Sequence, residues 1–544
     1  MIRIEECKLD LNFTENDLTE RICKILHVRA EELLSVEVVR KAVDARKKPH
    51  LACVLTVDVQ VKKEKAVAHR GGRASLKIME PIRYHFPKCS AKKGGTRPVV
   101  IGSGPCGLLC TYELALHGFR PILLERGSEV DARCRKVQHF FSTGTLDPAN
   151  NAQFGEGGAG TFSDGKLNTS IKDPSGRGRE VLKLFVAMGA DPDILSDAKP
   201  HLGTDALIGI LKNLRRRITE LGGTMRFDSC VTDLMTKDGT LTGLRINGDT
   251  IMETDTAVLS IGHSARDTIR MLRGKGLLME PKPFAVGFRI EHPQTWIDIS
   301  QYGFSDHSVI SAAPYKLTAQ AEGRGVYSFC MCPGGYVINA SSEPEMLCVN
   351  GMSYSDRAGA NANSAIVVTV KPEDVKGDDP LAFLAFQETL ERKAFILAGG
   401  AIPQQLYGDF LKNRISTAYG AFESTTKGAH AFANLRDLLP PAMTDAFLSG
   451  MARFGRQIQD FDRTDAILSG IESRTSSPVR IKRDVQGVSS IKGLYPAGEG
   501  AGYAGGIISA AVDGIRTAEQ VAIRLSAQPD SVAAAAQGAV NRNE

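Results

Sequence analysis

The sequence predicts an α/β protein: a doubly wound nucleotide-binding domain built from discontinuous segments, an inserted α+β domain, and a small N-terminal α+β domain. Three observations predict it. A short apolar strand, Pro98-Val99-Val100-Ile101, runs directly into a glycine-spaced turn and a helical segment. The same kind of strand-and-helix signal returns near the C-terminus, at Gly493 to Gln520. Between about 280 and 470 the alternation is missing and Pro/Gly turns interrupt the chain. At 544 residues the chain also exceeds what one hydrophobic core usually supports. The expected division is 1–93 for the small basic domain, 97–279 and 471–525 for the two parts of the nucleotide-binding domain, and 280–470 for the inserted substrate or cap domain. Residues 526–544, rich in Ala and Gln, are expected to form a flexible tail.

Residues 2–10 alternate like a strand, and 15–27 carry Leu18, Ile22, Ile25 and Leu26 at helical spacing. Strand patterns return at 35–43 and at 51–61, where Cys53, Leu55, Val57, Val59 and Val61 repeat with period two. Ser90 to Pro98 reads as the linker that follows.

The turn after Ile101 is Gly102-Ser103-Gly104-Pro105-Cys106-Gly107. A helical segment stops at Gly118, and a second apolar strand, Pro121 to Leu124, ends in Glu125. This is the Rossmann-type fingerprint in its required context. Gly102 permits the tight turn, Gly104 admits a pyrophosphate to the backbone, and Gly107 lets helix and strand pack closely. The helix start at Pro105 offers unpaired N–H groups to phosphate. Glu125 is expected to accept hydrogen bonds from ribose hydroxyls, and its charge disfavours a 2′-phosphate there. Arg126 and Arg133 are expected to reach the pyrophosphate.

With Leu124-Glu125-Arg126-Gly127 added, the residues resemble the flavoproteins whose fingerprint reads GxGPxG followed by a strand ending Glu-Arg-Gly. Two downstream segments extend the resemblance: Thr256 to Gly262, an apolar strand ending in glycine, and Gly493-Leu494-Tyr495-Pro496-Ala497-Gly498-Glu499-Gly500. Over nearly its whole length the chain is similar to a group of bacterial FAD-dependent dehydrogenases, also described as NAD(P)/FAD-dependent oxidoreductases. Val43 to Lys48, Gly155 to Leu167, Gly287 to Pro293, Met331 to Gly335, Arg474 to Arg480 and Pro496 to Gly506 carry that likeness. It implies non-covalent FAD on a Rossmann-type domain. In related flavoproteins chain wraps the isoalloxazine after the first βαβ unit, so Gly157, Gly158, Gly160, Thr161, Ser163, Asp164 and Lys166 become candidates. By resemblance alone Val231 meets the adenine. Glu499 suits ribityl hydroxyls, and the helix start at Gly505, Gly506 and Ile507 suits the flavin edge where negative charge grows on reduction.

A flavin carries the redox step, so few side chains are obligatory. No second GxGxxG with strand and helix occurs, which leaves NAD(P)H as a transiently docked donor or the substrate itself as donor. Cys330 and Cys332 precede Pro333-Gly334-Gly335 in an expected hairpin of Gly325 to Phe329 with Tyr336 to Asn339, which period two would place on one face. They suit either a catalytic pair, Cys332 foremost, or plain core packing. His263 and His292 are candidate acid/base groups. Arg474 and Arg480 flank a Ser-Ser-Pro turn and suit an acidic substrate. No ligand spacing for a metal is present.

Residues 1–97 hold 21 Lys and Arg against 13 Asp and Glu, an excess of 8 in a chain of net charge +5. That bias leaves open an RNA-modifying flavoprotein whose N-terminal unit holds RNA, beside the leading expectation of an oxidoreductase acting on a small molecule. A non-catalytic flavin redox sensor is the third reading. No apolar run reaches the roughly 18 residues of a membrane span, and eleven cysteines lack disulfide-framework spacing. A cytoplasmic protein is expected.

Overall fold

The computed structural model describes residues 1–70, 76–80, 82–92, 94–308, 310–377 and 379–526. The expected tail from 527 onward lies outside the described residues.

The N-terminal unit is a four-stranded antiparallel sheet ordered Leu33–Asp44, Ala52–Val61, Ile2–Leu9, Leu76–Ile78. Helix Glu15–Leu26 starts with a Thr14/Asp17 capping box and buries Leu18, Ile22, Ile25 and Leu26. Alternate residues Leu55, Val57, Val59 and Val61 face it, as period two requires. The sheet is docked on the following chain: Lys41 N–H donates to Ser196 O at 2.7 Å, and Arg179 pairs with Glu37 at 3.0 Å. The stretch just before the expected linker is docked too. Tyr84 donates to Glu519 Oε1 at 3.0 Å, and Phe86 stacks on His117 with centroids 3.7 Å apart.

The second unit is a five-stranded parallel sheet ordered Leu494–Pro496, Ala257–Leu259, Val99–Ile101, Ile122–Leu124, Thr224–Arg226. Neighbouring strands therefore come from three distant stretches of sequence. Four of them are short, wholly or mostly buried apolar runs, the pattern of a parallel sheet covered on both faces, and the edge strand Thr224–Arg226 is more polar and less buried. Helices Pro105–Leu116 and Ile507–Leu525 pack against each other; a Cβ on Gly514 would overlap the Cys106 carbonyl, so glycine permits their close approach. An antiparallel meander, Val231–Lys237, Thr240–Ile246 and Thr250–Glu253, stands beside this sheet.

The third unit explains why residues 280–470 show no strand-and-helix alternation. It is a seven-stranded, mostly antiparallel sheet ordered Thr318–Ala321, Arg324–Cys332, Asn361–Thr369, Ala285–Pro293, Ile467–Glu472, Ile402–Leu406, His430–Phe432. Helices Pro380–Leu397 and Pro441–Gln457 cover it. Phe288, Phe410 and Phe447 meet edge-to-face at 5.3 to 5.5 Å in its core. A short antiparallel pair, Met279–Pro281 with Val479–Ile481, joins it to the parallel sheet.

The expected hairpin is corrected. Tyr336–Asn339 pairs with Val349–Met352 instead of with Arg324–Cys332, which lies between Thr318–Ala321 and Asn361–Thr369. Pro333-Gly334-Gly335 leads the chain away: Gly334 has φ +48° and leaves no room for a Cβ against the Arg357 carbonyl, while Gly335 N–H donates to Asn361 O at 2.8 Å.

Candidate functional site

Strand Val99–Ile101 ends where Gly102 turns with φ +100°, and a Cβ there would strike the Ser260 carbonyl of the adjacent strand's end. Gly104 caps helix Pro105–Leu116 without a side chain, and nothing lies within 4 Å of where its Cβ would be. The first N–H groups of that helix are therefore uncapped beside open space. Gly506 likewise caps helix Ile507–Leu525 without a side chain. Both helix starts face one cavity of about 380 Å³. Two positive dipole ends and uncapped donors on one cavity fit a dinucleotide pyrophosphate and an electron-rich ring edge.

Of the residues expected at the cofactor, Gly102, Gly104, Pro105, Glu125, Arg126, Gly158, Gly160, Ser163, Asp164, Lys166, Val231, Gly262, Gly498, Glu499, Gly505, Gly506 and Ile507 line this cavity. Gly107, Arg133, Gly157 and Thr161 stand behind its wall. Gly107 packs against the Gly102 carbonyl, and Gly157 against Thr161 and Leu211. Arg133 does not reach the cavity. It is fully buried and donates to the Asn151, Glu156 and Gly158 carbonyls at 3.1, 2.7 and 2.9 Å, holding the glycine loop in shape.

Glu125 lines the cavity yet is already engaged. Oε2 accepts from Ser103 N–H at 2.9 Å and Ser103 Oγ at 2.7 Å; Oε1 accepts from Gly127 N–H at 2.9 Å and Gly155 N–H at 3.1 Å. One carboxylate thus pins three loops. Arg126 is paired with Asp267 at 3.0 Å and lies over the Phe154 ring at 4.4 Å, beside Cys230 and Val231.

The wall containing Lys166 and Cys330 is more highly charged. Asp164 is buried and binds Arg357 at 2.6 Å and Lys166 at 3.1 Å. Burial opposes its charge, but the two cations prevail and hold its carboxyl below the usual range. Lys166 Nζ also donates to the Met331 carbonyl. Cys330 lines the cavity, whereas Cys332 is fully buried behind it, the reverse of the order expected from sequence. Arg289 is buried beneath both, donating to Cys330 O at 3.2 Å and pairing with Glu472 at 3.0 Å.

His263 and Glu499 line the cavity with His263 Nδ1 3.7 Å from Glu499 Oε1. Burial, with Arg474 and Arg266 nearby, pushes His263 down to about 3, so its ring is neutral; Nε2 is buried without a partner. Burial pushes Glu499 up to about 7. Arg474 reaches the cavity but is tied to Ser264 at 3.0 Å, Ser342 at 2.6 Å and Glu391 at 2.7 Å. His292 lies in the inserted sheet's core, bonded to Phe461 O at 2.8 Å, and Arg480 turns to Glu280 at 3.6 Å. Neither lines the cavity. Gln153, Ser264, Phe329 and Asn350 do, and no local sequence pattern marks them. Among the described residues no metal-binding cluster, no disulfide and no helix long and apolar enough to cross a membrane is found.

Family models match three stretches: a domain of unknown function at 1–60, the NAD(P)-binding Rossmann-like domain at 100–154, and the FAD-dependent protein, C-terminal domain-like, at 283–475. A protein of Clostridium beijerinckii named "Uncharacterized protein" is 45% identical over 526 residues, covering 96% of this chain and 98% of its own. Among solved structures, the flavin-dependent brominase Bmp2 is 13% identical over 81% of this chain and 82% of its own, with a TM-score of 0.38. L-proline dehydrogenase from P. horikoshii is 12% identical over 80% and 95%, with a TM-score of 0.34. The chain belongs to one family with the clostridial protein, and it carries matches both to the NAD(P)-binding Rossmann-like domain and to the FAD-dependent protein, C-terminal domain-like.

Proposed function

We propose that the protein holds FAD without a covalent bond in this cavity and is an oxidoreductase for a small molecule, with NAD(P)H docking transiently where a separate donor is needed. The observation that carries this reading is the convergence of two uncapped helix starts, at Gly104-Pro105 and Gly506-Ile507, on one cavity. Gly102 to Pro105 would hold the pyrophosphate through their backbone, Glu125 would serve the ribose and Val231 the adenine. Glu499 would hold the ribityl chain, and the start of helix Ile507–Leu525 would stabilise negative charge on the ring. Bound FAD supplies two-electron transfer as hydride.

The chain's own groups then orient substrate and manage protons. His263 stays neutral at physiological pH and forms an uncharged part of the cavity wall. Glu499, shifted to about 7, takes up or gives a proton at its carboxylate near neutrality. Asp164, fixed by Arg357 and Lys166, keeps its charge and holds Lys166 at the cavity wall.

The test is direct. The purified protein should be yellow and release intact FAD on denaturation, and the bound flavin should be reduced anaerobically by NADH or NADPH, or else by substrate. A colourless protein that takes up no FAD on reconstitution, or one that keeps its flavin after acid precipitation, overturns the reading.

A further inference from the structure

Strand Arg324–Cys332 breaks its ladder with Asn361–Thr369 immediately before the cavity: Phe329 faces Ala365 and Cys332 faces Asn363, so Cys330 and Met331 together oppose one residue. Cys330 sits at this bulge with φ +44°, a conformation rarely held by residues with a side chain. In a regular strand the Cβ atoms of residues i and i+2 stand about 6.6 Å apart, wider than the roughly 3.5–4.5 Å spanned across a disulfide. The bulge interrupts that regular geometry at Cys330. Cys332 Sγ lies 3.2 Å from the Cys330 carbonyl oxygen. Cys330 is one of the residues lining the cavity, and Cys332 is fully buried.

The surroundings favour a thiolate at the cavity side. The Cys332 hydrogen bond, with Lys166 and Arg289 nearby, lowers the Cys330 thiol; the same bond and burial raise Cys332. Packing alone requires neither a left-handed cysteine nor two cations around a sulfur pair.

We propose that Cys330 and Cys332 are a redox-active dithiol and that the oxidising substrate of this site is a low-molecular-weight disulfide. The inference rests on the flavin reading for the return of electrons, but the sulfur chemistry does not depend on it. The Cys330 thiolate attacks one sulfur of R–S–S–R, a Cys330–S–R bond forms, and one R–S⁻ leaves with the electron pair of the broken bond. Cys332 gives its proton to that thiolate, attacks the Cys330 sulfur and expels the second R–S⁻. The disulfide has gained two electrons and the cysteine pair has lost two. Two electrons and one proton, a hydride equivalent from FAD in its two-electron-reduced form, restore the Cys330 thiolate and Cys332 thiol. Because Cys330 lies inside a cavity, a small disulfide reaches it and a folded protein's does not.

The full-length protein, its flavin content recorded by absorbance, is mixed with 5,5′-dithiobis(2-nitrobenzoate), and the released chromophore and protein mass are followed. The wild type should show a burst of two equivalents per chain, no retained adduct, and loss of two hydrogens from the peptide carrying Cys330 and Cys332. Cys332→Ser, with Cys332→Ala as its alternative, should release one equivalent and retain the adduct on Cys330. Cys330→Ser should lose the burst. A wild type that keeps a stable adduct at Cys330, a burst unchanged in Cys330→Ser, or a Cys332 variant matching the wild type overturns the proposal. Absence of flavin with this pattern intact overturns only the flavin reading.

Discussion

Glu391 and Arg474 form a buried two-point ion pair, Oε1 accepting from Nε at 2.9 Å and Oε2 from Nη2 at 2.7 Å, and the same carboxylate accepts from Arg266 at 2.6 Å. The pair ties helix Pro380–Leu397 of the inserted unit to Arg474, which reaches the cavity, and to helix Arg266–Gly274 beside the parallel sheet. One carboxylate therefore fixes how two units meet.

Glu391→Gln should cost about 3 to 5 kcal/mol in urea denaturation, because it removes the buried carboxylate between two guanidiniums and leaves them to share the charge of the partly exposed Glu343. A loss under about 1 kcal/mol would show that water or rearrangement replaces the pair.

Gly104→Ala separates folding from cofactor binding. Nothing lies within 4 Å of the new Cβ and φ is −69°, so stability should fall by less than about 1 kcal/mol. The methyl group points into space needed for close approach of a pyrophosphate, so FAD affinity should fall on the order of 10-fold or more, read by fluorescence titration.

Glu125→Gln sets an amide NH₂ against N–H and O–H donors now satisfied by a carboxylate oxygen. Thermal or urea unfolding of the flavin-free protein should report a loss of about 2 to 4 kcal/mol, and flavin affinity should fall with it. Full stability with lost affinity alone would mean that the carboxylate serves the ligand and the loop contacts are incidental.

Glu499 gives a pH dependence of known sign. Its folded pKa, about 7, lies above that of the unfolded chain, so its contribution is fully present at low pH and is lost as pH rises toward and through 7. In flavin-free protein, stability should fall between pH 5 and pH 8 by on the order of 1 to 2 kcal/mol more in the wild type than in Glu499→Gln, after allowance for partial exposure. Glu113 and Glu156, also raised to about 7 by burial, remain in both proteins and cancel in the comparison. Equal pH slopes would place Glu499 in a solvated setting.

The parallel sheet and the nucleotide turn were legible because their signals are local. Gly102, Gly104 and Gly107 act on the turn that contains them, and period two in 51–61 sets which face of one strand is buried. The seven-stranded sheet was not legible, since its order pairs Ala285–Pro293 with residues 361–369 and 467–472, and antiparallel pairing at that distance leaves no periodic trace in either segment.

The sequence by itself determined a Rossmann-type chain with a glycine turn and a second glycine-rich helix start near Gly505, because backbone freedom and helix ends are properties of short segments. Only the tertiary structure decided what those segments enclose. It brought Ser260, Gly498 and Cys330 to one cavity, turned Arg133 away to satisfy loop carbonyls, and exchanged the roles expected of Cys330 and Cys332. The physical reason is the bulge at Cys330: a ladder defect depends on the partner strand, and the sequence around one cysteine does not reveal which residue its neighbour will face.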